Sequence, residues 1–311
     1  MPVAEGAGIL ALFDDEVVLP TGLRLAVRRA PGGAHSPALL VHGLASNARA
    51  WDGVARRLAA GGHEVVAVDL RGHGRSGAPP TGYDTETAAD DLAELISALG
   101  LVGKRAPVVA GHGWGGDVVL ELAARNRGLA GVALVDGGWT RLRDRFANPE
   151  QCWAALAPPR LDPVPAAEFE QRLRRDLADW PSEAVDGTLA SHRLGPDGRY
   201  AARLTRQHHR DIVTSLWEGD PRALYPHVDV PVLLLAAVPR AGADRGVAPG
   251  AEPGRQQIPG TRAGAREALA GFSDAEVRWY VGAHHDMPAR LPEAVAADLL
   301  GLLRRVAAEA N

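Results

Sequence analysis

The glycine-rich stretch Gly111–Gly116 constrains the possible fold of this chain more than any other stretch. It directly follows the β-branched pair Val108-Val109 and Ala110, and directly precedes a helical pattern that begins at Asp117. A strand, a sharp glycine turn and a helix are the context of a nucleophile elbow, in which a strained turn holds one side chain above the sheet edge. Such an elbow has the pattern GxSxG. Here the central residue is Gly113, which has no hydroxyl, so the usual nucleophile is missing.

A glycine-rich turn between a strand and a helix can also bind the phosphates of a dinucleotide. The dinucleotide fingerprint is typical of the start of a chain, with an acidic residue after the following strand. This turn begins only at Gly111. Its position favours the elbow, and we expect no cofactor.

Predicted strands and helices alternate along the chain. Polar and apolar residues alternate around Thr21-Gly22, which predicts an antiparallel hairpin. Further strands are predicted at residues 37–41, 63–70, 106–110, 129–135, 230–237 and 276–281. Amphipathic helical patterns separate most of them. This alternation predicts an α/β domain with a mostly parallel sheet covered by helices on both faces.

Polar residues and glycines stand where several of these strands end. They are His42-Gly43, Gly72–Gly74, Gly113 and Asp136. Ligands of such sheets bind outside the carboxyl ends of the strands. The sequence therefore predicts a binding site at this edge.

The alternation stops between Trp139 and about Pro226. This segment shows no clear strand, several amphipathic helical patches and many aromatic residues. We interpret residues 139–226 as a helical cap inserted into a core domain of residues 1–138 and 227–311. Trp139, Trp153 and Trp217 are candidates for substrate contact, and the alternative is that the aromatic residues form the cap's own small core.

Composition narrows the class of function. The net charge is −4, with acids and bases interspersed, so no basic face indicates a nucleic acid or membrane partner. A small-molecule substrate is expected. Cys152 is the only cysteine and the N-terminus has no leader pattern, which fits a cytoplasmic protein. The pairs His208-His209 and His284-His285 are adjacent and diverge on regular elements, so no metal site is expected.

Four motifs in this order resemble the α/β-hydrolase fold family over nearly the whole chain. They are Leu39–Gly43, Val68–Ser76, Gly111–Gly116 and Gly282–Asp286. The resemblance implies an eight-stranded, mostly parallel sheet with helices on both faces and an inserted helical cap. It also implies an oxyanion hole made by the main-chain N–H groups of Leu44 and Trp114.

In that family the catalytic histidine lies in the last loop, where two adjacent histidines compete here. The family pattern places it directly before an Asp and a helix-opening Pro, which favours His285. His284 is then expected in the pocket wall. His42 and His112, which flank the two glycine turns, are further expected substrate contacts.

Two acids are candidates for orienting this histidine. Most family members carry the acid after the penultimate strand, where this chain has only the more distant Asp244. A minority carry it after the strand that follows the elbow helix, where Asp136 lies. We prefer Asp136 because it ends a strand, whereas Asp244 lies in a Gly- and Pro-rich stretch without periodicity.

The glycine at the elbow leaves three hypotheses. In the first, the protein has the site of a small-molecule esterase or lactonase whose serine is lost. In the second, His285 and Asp136 act without serine as a general base for water activation, cyclisation or elimination. In the third, the chain is a non-catalytic ligand-binding protein. Loss of a triad serine costs about 10⁶ in kcat, but binding and the oxyanion hole retain about 10³–10⁴ over water.

Overall fold

The computed structural model describes residues 11–33, 35–125, 128–158, 164–238 and 261–309. The strands in these ranges are β1 Phe13–Val18, β2 Arg24–Ala30, β3 His35–Val41, β4 His63–Val68, β5 Val108–His112, β6 Gly131–Val135, β7 His192–Leu194, β8 Tyr200–Ala202, β9 Val232–Val238 and β10 Ala275–Val281. The helices are α1 Asp52–Ala60, α2 Thr85–Ala98, α3 Trp114–Arg125, α4 Pro149–Leu156, α5 Ala166–Asp176, α6 Ser182–Leu189, α7 Arg206–Glu218, α8 Arg262–Gly271, α9 Met287–Arg290 and α10 Pro292–Glu309. Over the described ranges, every helix is too short or too polar to span a bilayer.

Eight of the strands form one sheet, in the order β1-β2-β4-β3-β5-β6-β9-β10. The pairs β1–β2 and β2–β4 are antiparallel. All other neighbours in this sheet are parallel. The prediction of a mostly parallel eight-stranded α/β sheet with an initial hairpin is confirmed.

Alternate side chains of the central strands enter two separate cores, one on each face of the sheet. On β5, Val109 packs with residues of α2 and α3, whereas Val108 and Ala110 pack with residues of α1 and α10. On β9, Leu234 and Leu235 divide in the same way. Because helices cover both faces, both sets of side chains must be apolar, which is why these strands read as continuous apolar runs.

The carboxyl ends of the parallel strands bring distant parts of the chain to one edge. Gly113 follows β5, Asp136 follows β6, and the pairing of His112 with Val135 places these two ends side by side. The loop after β10 carries His285 to the same edge. The predicted site edge is thus assembled by strand order alone.

The segment of residues 139–226 is inserted between β6 and β9. It contains α4 to α7 and, against the prediction of no strand, an antiparallel hairpin of β7 and β8. Strands of three residues are too short to show an alternation of period two, and so the pattern missed them. The turn Gly195–Gly198, in which Gly198 has φ +73°, is the sequence feature that could have indicated this hairpin. The division into core and cap stays a prediction.

Candidate active site

The turn after β5 has the geometry of a nucleophile elbow. Gly113 adopts φ +53°, a left-handed conformation that favours glycine. Its N–H donates to Val135 O at 3.0 Å, and its C=O accepts from the Gly116 N–H at 2.8 Å. At Gly111 a Cβ atom would lie 2.1 Å from the carbonyl oxygen of Gly115, so the strand and the helix approach too closely for any side chain. Glycine is therefore required by the backbone at position 111 and favoured by it at position 113.

His285 faces this turn and is held from behind by Asp136. Its Nδ1 lies 2.7 Å from Asp136 Oδ2. A carboxylate only accepts, so Nδ1 carries the proton and Nε2 presents its lone pair. A Cβ atom built on Gly113 would lie 3.1 Å from this Nε2. The unprotonated nitrogen thus points at the space that a side chain at position 113 would fill.

Asp136 is fixed as firmly as the histidine that it binds. It is 1% exposed and adopts φ +47°, uncommon for a residue other than glycine. Its second oxygen, Oδ1, accepts the N–H of Ala237 at 3.2 Å. The carboxylate is therefore held by β9 on one side and binds His285 on the other. Asp244, the other candidate acid, lies outside the described residues.

The surroundings of His285 favour its protonated form. Burial lowers the pKa of His285. The hydrogen bond and the negative charge of Asp136, with a smaller contribution from the charge of Asp286, raise this pKa by more than burial lowers it. The pKa of His285 is therefore raised above its ordinary value. A base with a raised pKa takes a proton from water more readily. This is the property that general-base catalysis needs.

His112 lies between the elbow and the last loop and stays neutral. Its Nε2–H donates to the carbonyl oxygen of His285 at 3.0 Å, and the two rings are 4.5 Å apart. Burial, and then the positive charge of His285, lower the pKa of His112 to about 3. A neutral His112 therefore positions the backbone of His285 without competing for its proton.

Two further buried histidines hold the loop after β3. Leu70 N–H donates to His42 Nε2 at 3.0 Å, and His42 Nδ1–H donates to Gly43 O at 2.7 Å. Ala45 N–H donates to His73 Nε2 at 3.2 Å. Burial lowers the pKa values of both His42 and His73, which keeps both rings neutral.

Leu44 and Trp114 directly follow the glycines of the two turns, Gly43 and Gly113. Trp114 is the first residue of α3, where N–H groups have no partner within the helix. Within the described ranges, neither N–H donates a main-chain hydrogen bond. Both residues line the same cavity as Gly113 and His285. These are the two groups that the sequence resemblance assigned to an oxyanion hole.

A cavity of about 990 Å³ opens above these groups. One side is lined by the sheet edge and the other by the inserted segment. Lining residues beyond those that the sequence analysis named as substrate contacts include Asp117, Phe169, Trp180, His192, Arg203 and His209. Of these, Asp117 could have been found from the sequence, because it lies four residues after Gly113, in the first turn of the helix that follows the elbow. Burial raises the pKa of Asp117 to about 7, against the lowering effect of the Gly138 N–H.

The predicted substrate contacts divide into two groups. His112 and His284 line the cavity, and Trp139, Trp153, Trp217 and His42 do not. These last four do not line the cavity, and their contact with a substrate stays a prediction. Trp139 is buried in the core of the α3 face, and His42 is occupied by its hydrogen bonds to the loop.

Trp153 and Trp217 instead pack in a small apolar cluster of the inserted segment with Leu142, Cys152 and Val213. Arg206 also lies over the Trp153 ring, 5.1 Å from its centroid. This agrees with the alternative that such aromatic residues form the segment's own core.

No group of three or more His, Cys, Asp or Glu side chains in the described ranges is arranged to hold a metal ion. The histidines of the cavity are instead bound to main-chain groups or to single carboxylates. His284 is one of these, with Nδ1 3.2 Å from Asp286 Oδ2.

The chain is similar in sequence to a known protein family and to several known proteins. The model of the alpha/beta hydrolase family matches residues 38–298. The non-heme chloroperoxidase of Streptomyces lividans is 29% identical over 281 residues, covering 86% of this chain and 91% of that protein. The soluble epoxide hydrolase of Corynebacterium sp. (strain C12) is 42% identical over 99 residues, so the chain spans only 32% of its length.

Among solved structures, the crystal structure of E-2-(acetamidomethylene)succinate hydrolase resembles the chain with a TM-score of 0.73. The match covers 94% of this chain and 100% of that one, at 21% identity. At this identity the similarity concerns the fold.

Proposed function

We propose that this chain, which belongs to the alpha/beta hydrolase family, hydrolyses an ester or lactone of a small molecule with a water molecule activated by His285. The observation that supports this proposal is the free Nε2 of His285, directed at the space above Gly113 with Asp136 bonded behind it. A serine hydroxyl would occupy that space in an ordinary elbow. A water molecule is the nucleophile that fits there instead.

The reaction would proceed without a covalent intermediate. His285 Nε2 takes a proton from the water as its oxygen adds to the substrate carbonyl carbon. The carbonyl oxygen becomes an oxyanion, which accepts hydrogen bonds from the N–H groups of Leu44 and Trp114. When the tetrahedral adduct collapses, the leaving alkoxide takes the proton from the imidazolium, which restores neutral His285 and yields acid and alcohol.

Asp136 contributes by fixing the imidazole and stabilising its cation. The 2.7 Å hydrogen bond keeps the proton on Nδ1, so Nε2 is available as the base. Because Asp136 is buried, water screens its charge little, and the attraction between this charge and the His285 imidazolium is strong. Positioned general bases contribute about 10²–10⁴ in rate. This is consistent with turnover slower than that of a serine enzyme yet above the background.

The cavity supports a small-molecule substrate. Its volume of about 990 Å³ is at the upper end of the usual range for ligand pockets, about 300–1,000 Å³. Phe169, Trp180 and Leu177 of the inserted segment give it apolar walls. We therefore propose that residues 139–226 act as a cap that holds the apolar part of the substrate over the sheet edge.

The test is turnover of short p-nitrophenyl esters and simple lactones, followed from the first turnover. We expect linear product release above the uncatalysed rate, without an initial burst and without an acylated protein in the mass spectrum. Gly113→Ser should introduce both a burst and an acyl adduct, since it restores an attacking hydroxyl next to Nε2.

Two outcomes would contradict the proposal. If only Gly113→Ser turns over esters, the site is that of a serine hydrolase with its nucleophile lost, and water activation is wrong. If neither protein turns over esters or lactones, the centre does not hydrolyse this class of bond.

A further inference from the structure

Three arginines line the cavity, and one of them differs from the others. Arg172 Nη2 lies 2.6 Å from Glu168 Oε1, and Arg290 is paired with Asp179. Arg203 makes no side-chain hydrogen bond or ion pair within the described ranges, and its Nε is buried without a partner. Arg203 as a whole is partly exposed, but a buried N–H donor left without an acceptor is costly, and the unpartnered Nε calls for an explanation.

A second, smaller pocket adjoins the cavity at Arg203 and Gly74. It has a volume of about 140 Å³ and is also lined by Asp14, Arg49 and Arg75. Arg75 Nη1 lies 2.9 Å from Asp14 Oδ2, and Arg49 lies 3.8 Å from the same oxygen. The carboxylate of Asp14 is therefore already shared among arginines other than Arg203.

Asp69, the other acid of the small pocket, is also occupied. Its Oδ1 accepts the N–H of Ala48 at 2.7 Å, and its Oδ2 accepts the N–H of Arg75 at 2.8 Å. Neither acid of the small pocket thus compensates the charge of Arg203.

Two other arginines in the described ranges have a buried Nε without a hydrogen bond, and both have carboxylate partners elsewhere on the guanidinium. Arg222 Nη2 lies 2.6 Å from Asp144, and Arg141 Nη1 lies 3.4 Å from the same side chain. The charge of each is compensated within the protein. Arg203 is the exception, and it is the one that lines the cavity.

We infer that Arg203 binds a carboxylate of the substrate, so that the hydrolysed ester or lactone belongs to a molecule with a negative charge. Ser46 and Ser191 line the cavity with it and offer hydroxyl donors. Ser191 Oγ accepts from Asn47 Nδ2 at 2.7 Å, which leaves its own proton to donate. A planar guanidinium matches a carboxylate with two parallel hydrogen bonds.

This subsite would lie beside the oxyanion loop. Ser46 follows Leu44 by two residues, and the Ser46 N–H is bonded to Gly43 O at 3.2 Å. Arg203 is held next to Ser191 by its own N–H, which donates to Ser191 O at 3.1 Å. The main-chain bonds thus fix the backbone of Arg203 beside that of Ser191, and the backbone of Ser46 in the oxyanion loop.

The inference rests on the proposed function for the bond that is cleaved, but its test uses binding alone. Calorimetry measures the affinity of succinate, glutarate and adipate, each against its neutral diamide. We expect at least one dicarboxylate to bind on the order of tenfold or more tightly than its diamide. Arg203→Gln should remove that preference, and Arg203→Lys should retain part of it.

Arg172→Gln is the matched control, since Arg172 lines the same cavity but already has a carboxylate partner. It should leave the preference unchanged. Thermal unfolding of each variant checks that the fold is intact. The inference is overturned if no dicarboxylate binds more tightly than its diamide, or if Arg203→Gln binds it as the wild type does.

Kinetics then separate this inference from the proposed function. Monomethyl and dimethyl glutarate carry the same ester and differ in one carboxylate. Hydrolysis of both at equal kcat/KM, unaffected by Arg203→Gln, would overturn the anion subsite and leave the function standing. Binding that depends on Arg203, without hydrolysis of any ester, would support the subsite and overturn the function.

Discussion

His284 and His285 are adjacent in the sequence and differ in almost every physical respect. The side chain of His285 is 14% exposed, and its carboxylate partner Asp136 is fully buried, 2.7 Å away. The side chain of His284 is 50% exposed, and its partner Asp286 is 22% exposed, 3.2 Å away. Each histidine thus has an acid, but only one pair is shielded from water.

The difference teaches that a histidine and a carboxylate do not by themselves make a strong base. Exposed ion pairs contribute about 0–1 kcal/mol, because water screens the charges and the side chains move. Asp136 is held by the end of β6 and by the Ala237 N–H, whereas Asp286 belongs to the same loop as its histidine. The pair that joins two separate elements is the one directed at Gly113.

The largest expected effect separates the two histidines directly. His285→Ala should reduce kcat/KM for ester hydrolysis by about 10³–10⁴, since it removes the base whose Nε2 is directed at the space above Gly113. His284→Ala should change it by less than about threefold. Steady-state assays of both variants with one p-nitrophenyl ester make the comparison.

The outcome that would break the comparison is equal loss in the two variants, or no loss in His285→Ala. Circular dichroism controls for misfolding in each case. The side chain of His285 is only 14% exposed, so His285→Gln serves as a second variant of similar side-chain volume.

The second effect separates the two acids. Asp136→Asn should reduce kcat/KM by about 10²–10³, because an amide can no longer stabilise the imidazolium or secure the proton on Nδ1. Asp286→Asn should cost about threefold or less, since its charge raises the pKa of His285 less than Asp136 does. If Asp286→Asn has the larger effect, Asp286 and not Asp136 supports the base.

Much of the sheet and its edge could be predicted from the sequence, because local signals determine them. Continuous apolar runs mark strands buried on both faces, and Gly113 stands in a strand–turn–helix pattern that has few solutions. Parallel strands end at one edge, which is why Asp136 and Gly113 could be expected to be neighbours before any coordinates. His285 required the family resemblance as well, because nothing local distinguishes it from His284.

The walls of the cavity could not be predicted in the same way. Trp153 and Trp180 are both aromatic residues of the inserted segment, but one packs in its core and the other lines the cavity. Which side a residue faces depends on how short helices pack against one another, and composition carries no record of that. Arg203 was not predicted either, because what distinguishes it is the absence of a hydrogen-bond or ion-pair partner for its side chain in the described part of the chain, which only the structure shows.

The third prediction concerns pH. Catalysis uses neutral His285, so kcat/KM should fall about tenfold per pH unit below its raised pKa. Asp136→Asn should move this inflection to lower pH, because the hydrogen bond and charge that raise the pKa are lost. Asp286→Asn should move it in the same direction by less. A profile of kcat/KM from pH 5 to 9 for the three proteins measures these shifts.

Stability should respond to pH with the opposite sign to activity at this site. A histidine whose pKa is raised in the folded state binds protons more tightly there than when unfolded. The contribution of His285 is therefore fully present below pH about 6.5 and is lost as the pH rises through its raised pKa. Denaturant unfolding of wild type and His285→Gln across this range tests it, and a contribution that grows with pH would contradict the raised pKa.

The smallest effect tests whether the space at Gly113 belongs to His285 alone. Gly113→Ala places a methyl group 3.1 Å from His285 Nε2 at φ +53°, and should lower the free energy of unfolding by about 1–2 kcal/mol. Gly301→Ala is the control, because a Cβ there would have nothing within 4 Å beyond its chain neighbours and the adjacent backbone of α10. Alanine there should raise stability by up to about 1 kcal/mol.

A double-mutant cycle connects this strain to one histidine. Combining Gly113→Ala with His285→Ala should recover about 0.5 kcal/mol or more of the loss, because the methyl group then meets no ring. Combining it with His284→Ala should be additive, since His284 is not among the atoms nearest to that methyl position. Coupling to His284 of the same size would mean that both histidines share the space, and the contrast between the buried and the exposed pair would no longer hold.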